Sequence, residues 1–263
     1  MKILLTGDDG YNSLGTRLLI NALKPEHTLT VAATKNQMSG VSGTISMKGG
    51  FNWEETEIDG VKAYVVDGTP ADAMELCAAH VREKYDLVIS GINLGANIGA
   101  STLSSGTIGA AARAIGINLA EKAIALSWDI PSEFWTITHD QSEDLTKYMD
   151  YPLGVSAKLV DLAIANNLWG ARLLNINLPA TKSTKILVTK PISDLTKAYD
   201  YSYKPDPVTK HFDYVGERKT GDEIELEYDA KALSEKYISI SPYKDNFLDE
   251  ALYTKMLELK FTL

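Results

Sequence analysis

Short apolar runs of strand length alternate with helical patterns from residue 2 to about residue 180, and this alternation restricts the fold more than any other feature of the sequence. KILLT (2–6), LTVAAT (29–34), KAYVV (62–66), DLVIS (86–90), AIALS (123–127) and RLLNINL (172–178) are short and largely apolar, as strands covered on both faces are. Between them, LGTRLLINAL (14–23), PADAMELCAAHVREK (70–84), TIGAAARAIG (107–116) and residues 154–167 place apolar side chains at helical spacing. Thr69 is placed to cap the second of these helices, with Pro70 at its first position. The small residues of 107–116 allow that helix to lie close to a sheet. Strands and helices in this order predict an α/β fold with a parallel, doubly wound sheet, in which ligands bind at the carboxyl ends of the strands.

Three segments of unusual composition follow strands and therefore gather at that edge. Asp8 and Asp9 follow the first strand, the glycine- and serine-rich 35–44 follows the second, and the long 91–106 follows DLVIS. The texture changes after about residue 180. Residues 196–228 are rich in Tyr, Asp and Lys, with Pro205 and Pro207 between, and Tyr199, Tyr201 and Tyr203 alternate with other residues as in an exposed or partner-covered strand. The expectation is a core over 1–180 and a C-terminal segment over 181–263. The segment holds a projecting β arm (196–228), a strand at KYISISPY (236–243) and a final helix over 245–259.

Composition excludes several functions. With 44% of its 263 residues hydrophobic, the chain has enough apolar material for a large core. A net charge of −9, without a run of five basic residues, argues against binding a nucleic-acid polymer, although it leaves a small anionic ligand open. MKILLTGDDG is too short in apolar residues for a secretion signal, and no apolar run approaches the ~20 residues of a membrane span. Cys77 is the single cysteine, so no intrachain disulfide is possible. Together these predict a soluble cytoplasmic protein with no membrane partner. Cys77 falls within a helix and reads as packing, and His27, His80, His139 and His211 are scattered without the spacing of a metal pair.

Asp8 and Asp9 pose the sharpest chemical question. Asp-Gly is a common turn signal, and an acidic residue suits the start of a following helix. Two adjacent carboxylates at the end of a buried strand also require a cation or a proton between them. A dinucleotide site does not fit, because GDDGYNS is not G-x-G-x-x-G and the second strand ends in AATKN without an acid for a ribose. No P-loop and no D-x-D signature is present at this strand end. NQMSGVSGT alone reads as a surface loop, and the glycines of 90–111 alone read as turn residues. Yet that stretch also carries Asn93, Asn97, Ser104, Ser105 and Thr107, and Ser-Gly-Thr at a helix start presents N–H groups and hydroxyls to an anion. The ligand chemistry on offer is oxygen, from Asp8, Asp9, a serine and an asparagine, which favours Mg²⁺ or Mn²⁺ over zinc.

LLTGDDGYNSLG, NQMSG, DGTPADA, LVISGINLGANIG, SSGTIGAA, LLNINLP and YISISPY, in this order, resemble the SurE family of stationary-phase survival proteins. The resemblance implies a Rossmann-like core and a metal-dependent phosphohydrolase acting on nucleoside 5′- or 3′-monophosphates, in some members also on short polyphosphate. It implies that Asp8, Asp9, Ser39 and Asn93 hold one divalent metal ion, Mg²⁺ or Mn²⁺, and that Asn97, Ser105, Gly106 and Thr107 hold the phosphate. It further implies homodimers or homotetramers built by exchange of C-terminal segments. Metal-activated water would attack the phosphorus, with Asp8 or Asp9 as the proton acceptor. No cysteine or histidine in these blocks offers itself as a covalent nucleophile. Two positions depart from the family pattern: Gly7 stands where an asparagine is usual, and Ala96 where a proline is. Gly7 motivates an alternative reading as a non-catalytic metal or nucleotide sensor, the tyrosine-rich arm a reading as an assembly protein, and the resemblance also leaves open an acid phosphatase of broader substrate range that includes short polyphosphate.

Overall fold

The pivot of the sheet is its first strand. In chain order the strands are β1 (Lys2–Thr6), β2 (Thr28–Thr34), β3 (Asn52–Ile58), β4 (Val61–Asp67), β5 (Leu87–Leu94), β6 (Ala123–Trp128), β7 (Leu173–Leu178), β8 (Ile186–Val188), β9 (Tyr199–Asp200), β10 (Glu217–Arg218) and β11 (Ile238–Tyr243). Nine of them form one sheet ordered β3-β4-β2-β1-β5-β6-β7-β11-β8. β1 pairs in parallel with β2 on one side and β5 on the other, so the chain changes direction across the sheet at β1. The β3–β4 and β7–β11 pairs are antiparallel and the remaining pairs of this sheet are parallel. A ligand crevice belongs at the carboxyl edge of β1 and β5, where the strand order reverses. The computed structural model describes residues 1–131, 134–135, 139–200, 205–212, 217–219, 222–244 and 250–257. Tyr201 and Tyr203 of the expected arm lie outside the described residues, as do 245–249 and 258–259 of the expected final helix.

Both faces of the sheet are covered, for reasons visible in the side chains. Ile3, Leu5, Ile89, Ile124 and Leu126 point to one face, where they pack with α1 (Leu14–Leu23) and α4 (Gly154–Ala165). Leu4, Val88, Ala123 and Ala125 point to the other, toward α2 (Pro70–Leu76) and α3 (Gly106–Gly116). Alanines on this second face meet Ala110, Ala111 and Ala114 of α3, which brings the helix close to the strands. Thr69 caps α2 through a reciprocal pair: its hydroxyl accepts from the Asp72 N–H at 3.2 Å and its N–H donates to Asp72 Oδ2 at 2.8 Å.

Several elements differ from the sequence reading. The helix expected over 70–84 continues past Leu76 only as a wide turn to Val81, where Arg82 takes a left-handed conformation at φ 55°. β3 was not expected; its residues are mostly exposed, and Glu54, Glu55 and Glu57 hide the apolar alternation of a strand. β5 runs to Leu94 instead of ending at Ser90, with a register shift against β6 between Ser90 and Asn93. β8 and β11 join the main sheet beyond β7, while β9 and β10 form a separate antiparallel pair. α5 (Leu195–Ala198), α6 (Asp229–Ser234) and α7 (Glu250–Leu257) complete the helices, and every residue of α7 is exposed.

Candidate active site

Asp8 and Asp9 leave β1 at the strand-order reversal and are only 3% and 8% exposed. Asp8 faces the start of α3. Its Oδ1 accepts the Thr107 hydroxyl at 2.5 Å, and the backbone N–H groups of Gly106 and Thr107 point to the same carboxylate. This is where a helix carries unpaired donors and partial positive charge. Gly106 permits the approach, because a Cβ there would lie 2.8 Å from Asp8 Oδ2. Ser105 caps the helix by accepting the Ile108 N–H at 3.1 Å. Asp9 has less help, its Oδ2 accepting the Leu94 N–H at 2.7 Å.

The electrostatics follow from these partners. Burial raises the Asp8 carboxyl above its ordinary value, against the opposing pull of the Thr107 hydroxyl and the backbone donors. Burial raises Asp9 much further, the neighbouring Asp8 charge adds to the rise, and the Leu94 N–H offsets it in part. Two carboxylates so placed hold a proton between them or need a positive partner.

Asn93, at the end of β5, shares a recess with Gly7, Asp8, Asp9, Ser13 and Gly91. Its Nδ2 donates to the Gly95 carbonyl at 2.7 Å, which leaves Oδ1 as the acceptor of that side chain. The start of α1 packs directly against this strand end, since a Cβ on Gly15 would overlap the Ile92 carbonyl at 1.8 Å. Ser39 is exposed and does not line the recess, but the Met38 N–H donates to the Asp8 carbonyl at 2.6 Å, tying its loop to the pair. The Ser39 hydroxyl accepts a bond from Gln37 Nε2.

Of the four residues expected at a phosphate, Gly106 and Thr107 face Asp8, and Ser105 caps the same helix start. Asn97 is engaged differently. Its N–H donates to Asn177 Oδ1 at 2.8 Å, its carbonyl accepts from Asn175 and Asn177 at 2.8 and 3.0 Å, and its amide donates to Ser127 at 2.9 Å. Sequence reading missed Ser127, Asn175 and Asn177, although two asparagines at a spacing of two in the otherwise apolar LLNINL mark one polar face. It also missed Asp229, whose carboxylate accepts from Gly99, Ala230 and Ile192 at 2.7, 2.8 and 3.3 Å and so pins the loop after β5 from the C-terminal segment.

The donors suit a hard divalent cation. Asp8, Asp9 and Asn93 offer oxygen alone, and the raised carboxyls show a shortage of positive charge that such an ion would relieve. Among the described residues, no three or more His, Cys, Asp or Glu side chains converge as a metal cluster, so any ligand set here needs neutral oxygens beside the two carboxylates. No histidine lines the recess, and His139 bonds Glu143. Cys77 is buried with its thiol pushed up to about 12, which makes it inert. A larger cavity of about 310 Å³ runs along α3 beside Tyr243 and includes, of the expected site residues, Ser105.

A family described as Survival protein SurE matches residues 3–200. A 5′-nucleotidase SurE of Clostridium beijerinckii is 31% identical over 262 residues, covering 98% of this chain and 99% of the relative. Another, from Archaeoglobus fulgidus, is 33% identical over 251 residues, covering 93% and 91%. The crystal structure of the SurE protein from Aquifex aeolicus superposes on 97% of this chain and 98% of its own with a TM-score of 0.74, at 24% sequence identity, a likeness of fold.

Proposed function

The chain belongs to the SurE family, and from that membership we propose that it is a metal-dependent phosphohydrolase that removes phosphate from nucleoside 5′- or 3′-monophosphates. Relatives bearing the name 5′-nucleotidase support the substrate class. The single observation that carries the reading is the buried, adjacent pair Asp8 and Asp9, facing the start of α3 at the strand-order reversal.

Asp8, Asp9, Asn93 and Ser39 would hold one Mg²⁺ or Mn²⁺. When bound, the ion supplies Lewis-acid activation of water and of a phosphoryl oxygen. Asp8 is the carboxylate kept ionised, because the Thr107 hydroxyl and the amides of Gly106 and Thr107 favour its charge. Asp9, held by a single backbone bond at Oδ2, would take the water proton at Oδ1. Ser105, Gly106 and Thr107 orient the phosphate at the positive end of α3. Asn97 fixes the neighbouring loop through Ser127 and the two asparagines of β7. Water is the nucleophile: its oxygen bonds to phosphorus as the bond to the ribose oxygen breaks, that oxygen takes up a proton, and the products are inorganic phosphate and the nucleoside.

The C-terminal segment supports assembly into a homodimer or homotetramer. α7 leaves Tyr253, Met256 and Leu257 exposed, and exposed apolar surface of this kind is normally covered by another chain. The lone cysteine supports a cytoplasmic setting, and among the described residues no helix is long and apolar enough to cross a membrane.

Phosphate release from 5′- and 3′-AMP, GMP and CMP, with Mg²⁺ or Mn²⁺ and again after EDTA, tests the reading. Release that EDTA stops and Mn²⁺ restores supports it. A folded, metal-supplied protein inert toward every monophosphate contradicts it and favours the sensor.

A further inference from the structure

We infer that Trp135 is a positioning residue that sets both loop donors of the site, Ser39 and Asn93. It follows β6 in a stretch, WDIPSEFW, that sequence reading did not connect to the site. The inference rests on the metal-site reading above for its consequence, and on contacts in this structure for its geometry.

Trp135 reaches Ser39 through its backbone. Gln37 Nε2 donates one hydrogen to the Trp135 carbonyl at 3.0 Å and the other to the Ser39 hydroxyl. A carbonyl can only accept, so Trp135 dictates that Gln37 turns its NH₂ end, not its oxygen, toward this pair. The Ser39 oxygen is thereby made an acceptor from Gln37, and its own proton is directed elsewhere. Were the Trp135 carbonyl displaced, Gln37 would lose the contact that holds its amide in place, and the Ser39 hydroxyl its fixed orientation.

Trp135 reaches Asn93 through its ring. The indole comes up close against Gly95, where a Cβ would stand 3.1 Å from both Cδ1 and Nε1. The Gly95 carbonyl holds the Asn93 amide at 2.7 Å and so aims its Oδ1. The ring is itself anchored, Nε1 donating to the Ile130 carbonyl at 2.9 Å. One half-buried residue therefore fixes two donors that come from different loops. Groups that orient ligands in this way typically alter metal affinity when removed.

The test is calorimetric titration of the purified full chain with Mn²⁺, with thermal melts confirming that each variant is folded. Trp135→Ala and Gln37→Leu should each weaken Mn²⁺ binding about tenfold, the lower end for loss of such supporting groups. Trp135→Phe, which keeps a ring over Gly95, should recover most of the affinity. Wild-type Mn²⁺ affinity in folded Trp135→Ala overturns the inference. If that variant fails to fold, Gln37→Leu decides, and unchanged affinity there overturns it as well. A wild-type protein that takes up no Mn²⁺ removes the metal reading and this inference with it; uptake by the wild type with unaltered variants removes only the inference.

Discussion

The chain up to β7 buries two adjacent carboxylates at a strand end, while the chain after it carries a helix, α7, that buries none of its residues. In the first region Asp8 and Asp9 are 3% and 8% exposed among strands that are buried along nearly their whole length. In the second, Val188 is 70% and Leu257 67% exposed, β9 and β10 are two residues each, and α7 buries none of its residues. A buried charge and an exposed large apolar side chain are the two informative exceptions to ordinary burial. Asp229 is the joint between the regions: a fully buried carboxylate of the second that holds Gly99 of the first.

The largest expected effect lies in the first region. Asp9→Asn should lower turnover by about 10²–10⁴-fold, the usual contribution of a positioned proton acceptor. The variant should stay folded, because an amide oxygen can still accept the Leu94 N–H. Full turnover at saturating Mn²⁺ would remove Asp9 from the mechanism.

Next in size is the joint. Asp229→Ala leaves the N–H groups of Gly99, Ile192 and Ala230 without this acceptor, at a cost of about 2–4 kcal/mol. A urea midpoint equal to that of the wild type would mean that the two regions are held together elsewhere.

How much of this was legible in the sequence differs between the regions for the same reason the regions differ. β1, α1, β6, β7 and α4 announce themselves because buried strands and amphipathic helices must be apolar in a regular pattern. β3 was missed because an edge strand with Glu54, Glu55 and Glu57 outward does not. β8 is three residues long and α6 six, too short for periodicity to register. At the site, Asp8 and Asp9 stand out as charges at the end of a buried strand, while Asn93 and 105–107 are singled out by the resemblance to the SurE family. Their supports could not: Gln37, Asp229, Ser127 and Trp135 act through contacts 2 to 130 residues away in sequence, and only folding reveals those partners.

In the second region the expected effect is on mass alone. Replacing Tyr253, Met256 and Leu257 together by Glu should shift the assembly to smaller species by light scattering while turnover per chain is unchanged. An unaltered mass would show that this face of α7 is not what joins copies.

The smallest effect belongs to Gly7. A Cβ there would meet Gly91 N at 3.6 Å, an ordinary contact, so no steric demand requires glycine. Gly7→Asn should keep kcat/KM for a mononucleotide or raise it by a few-fold, worth under about 1 kcal/mol. Loss of activity in a folded Gly7→Asn protein would mean that the side chain occupies space the substrate uses.

The most direct test of why the two carboxylates are adjacent is a set of melting curves against pH, with EDTA and with Mn²⁺. Burial raises both Asp8 and Asp9 above the ordinary 3.8, and the Asp8 charge raises Asp9 further, so the metal-free native chain keeps protons that the unfolded chain has released. Its stability is therefore greatest below 3.8 as far as these groups contribute, and falls as pH climbs from there through their raised values. The expected result is a wild-type Tm that declines with pH in EDTA more steeply than that of Asp9→Asn, and that Mn²⁺ raises at pH 7.5 in the wild type but not in the variant. A wild-type Tm indifferent to Mn²⁺ across the whole range, with the same pH profile as Asp9→Asn, would contradict a cation at this pair.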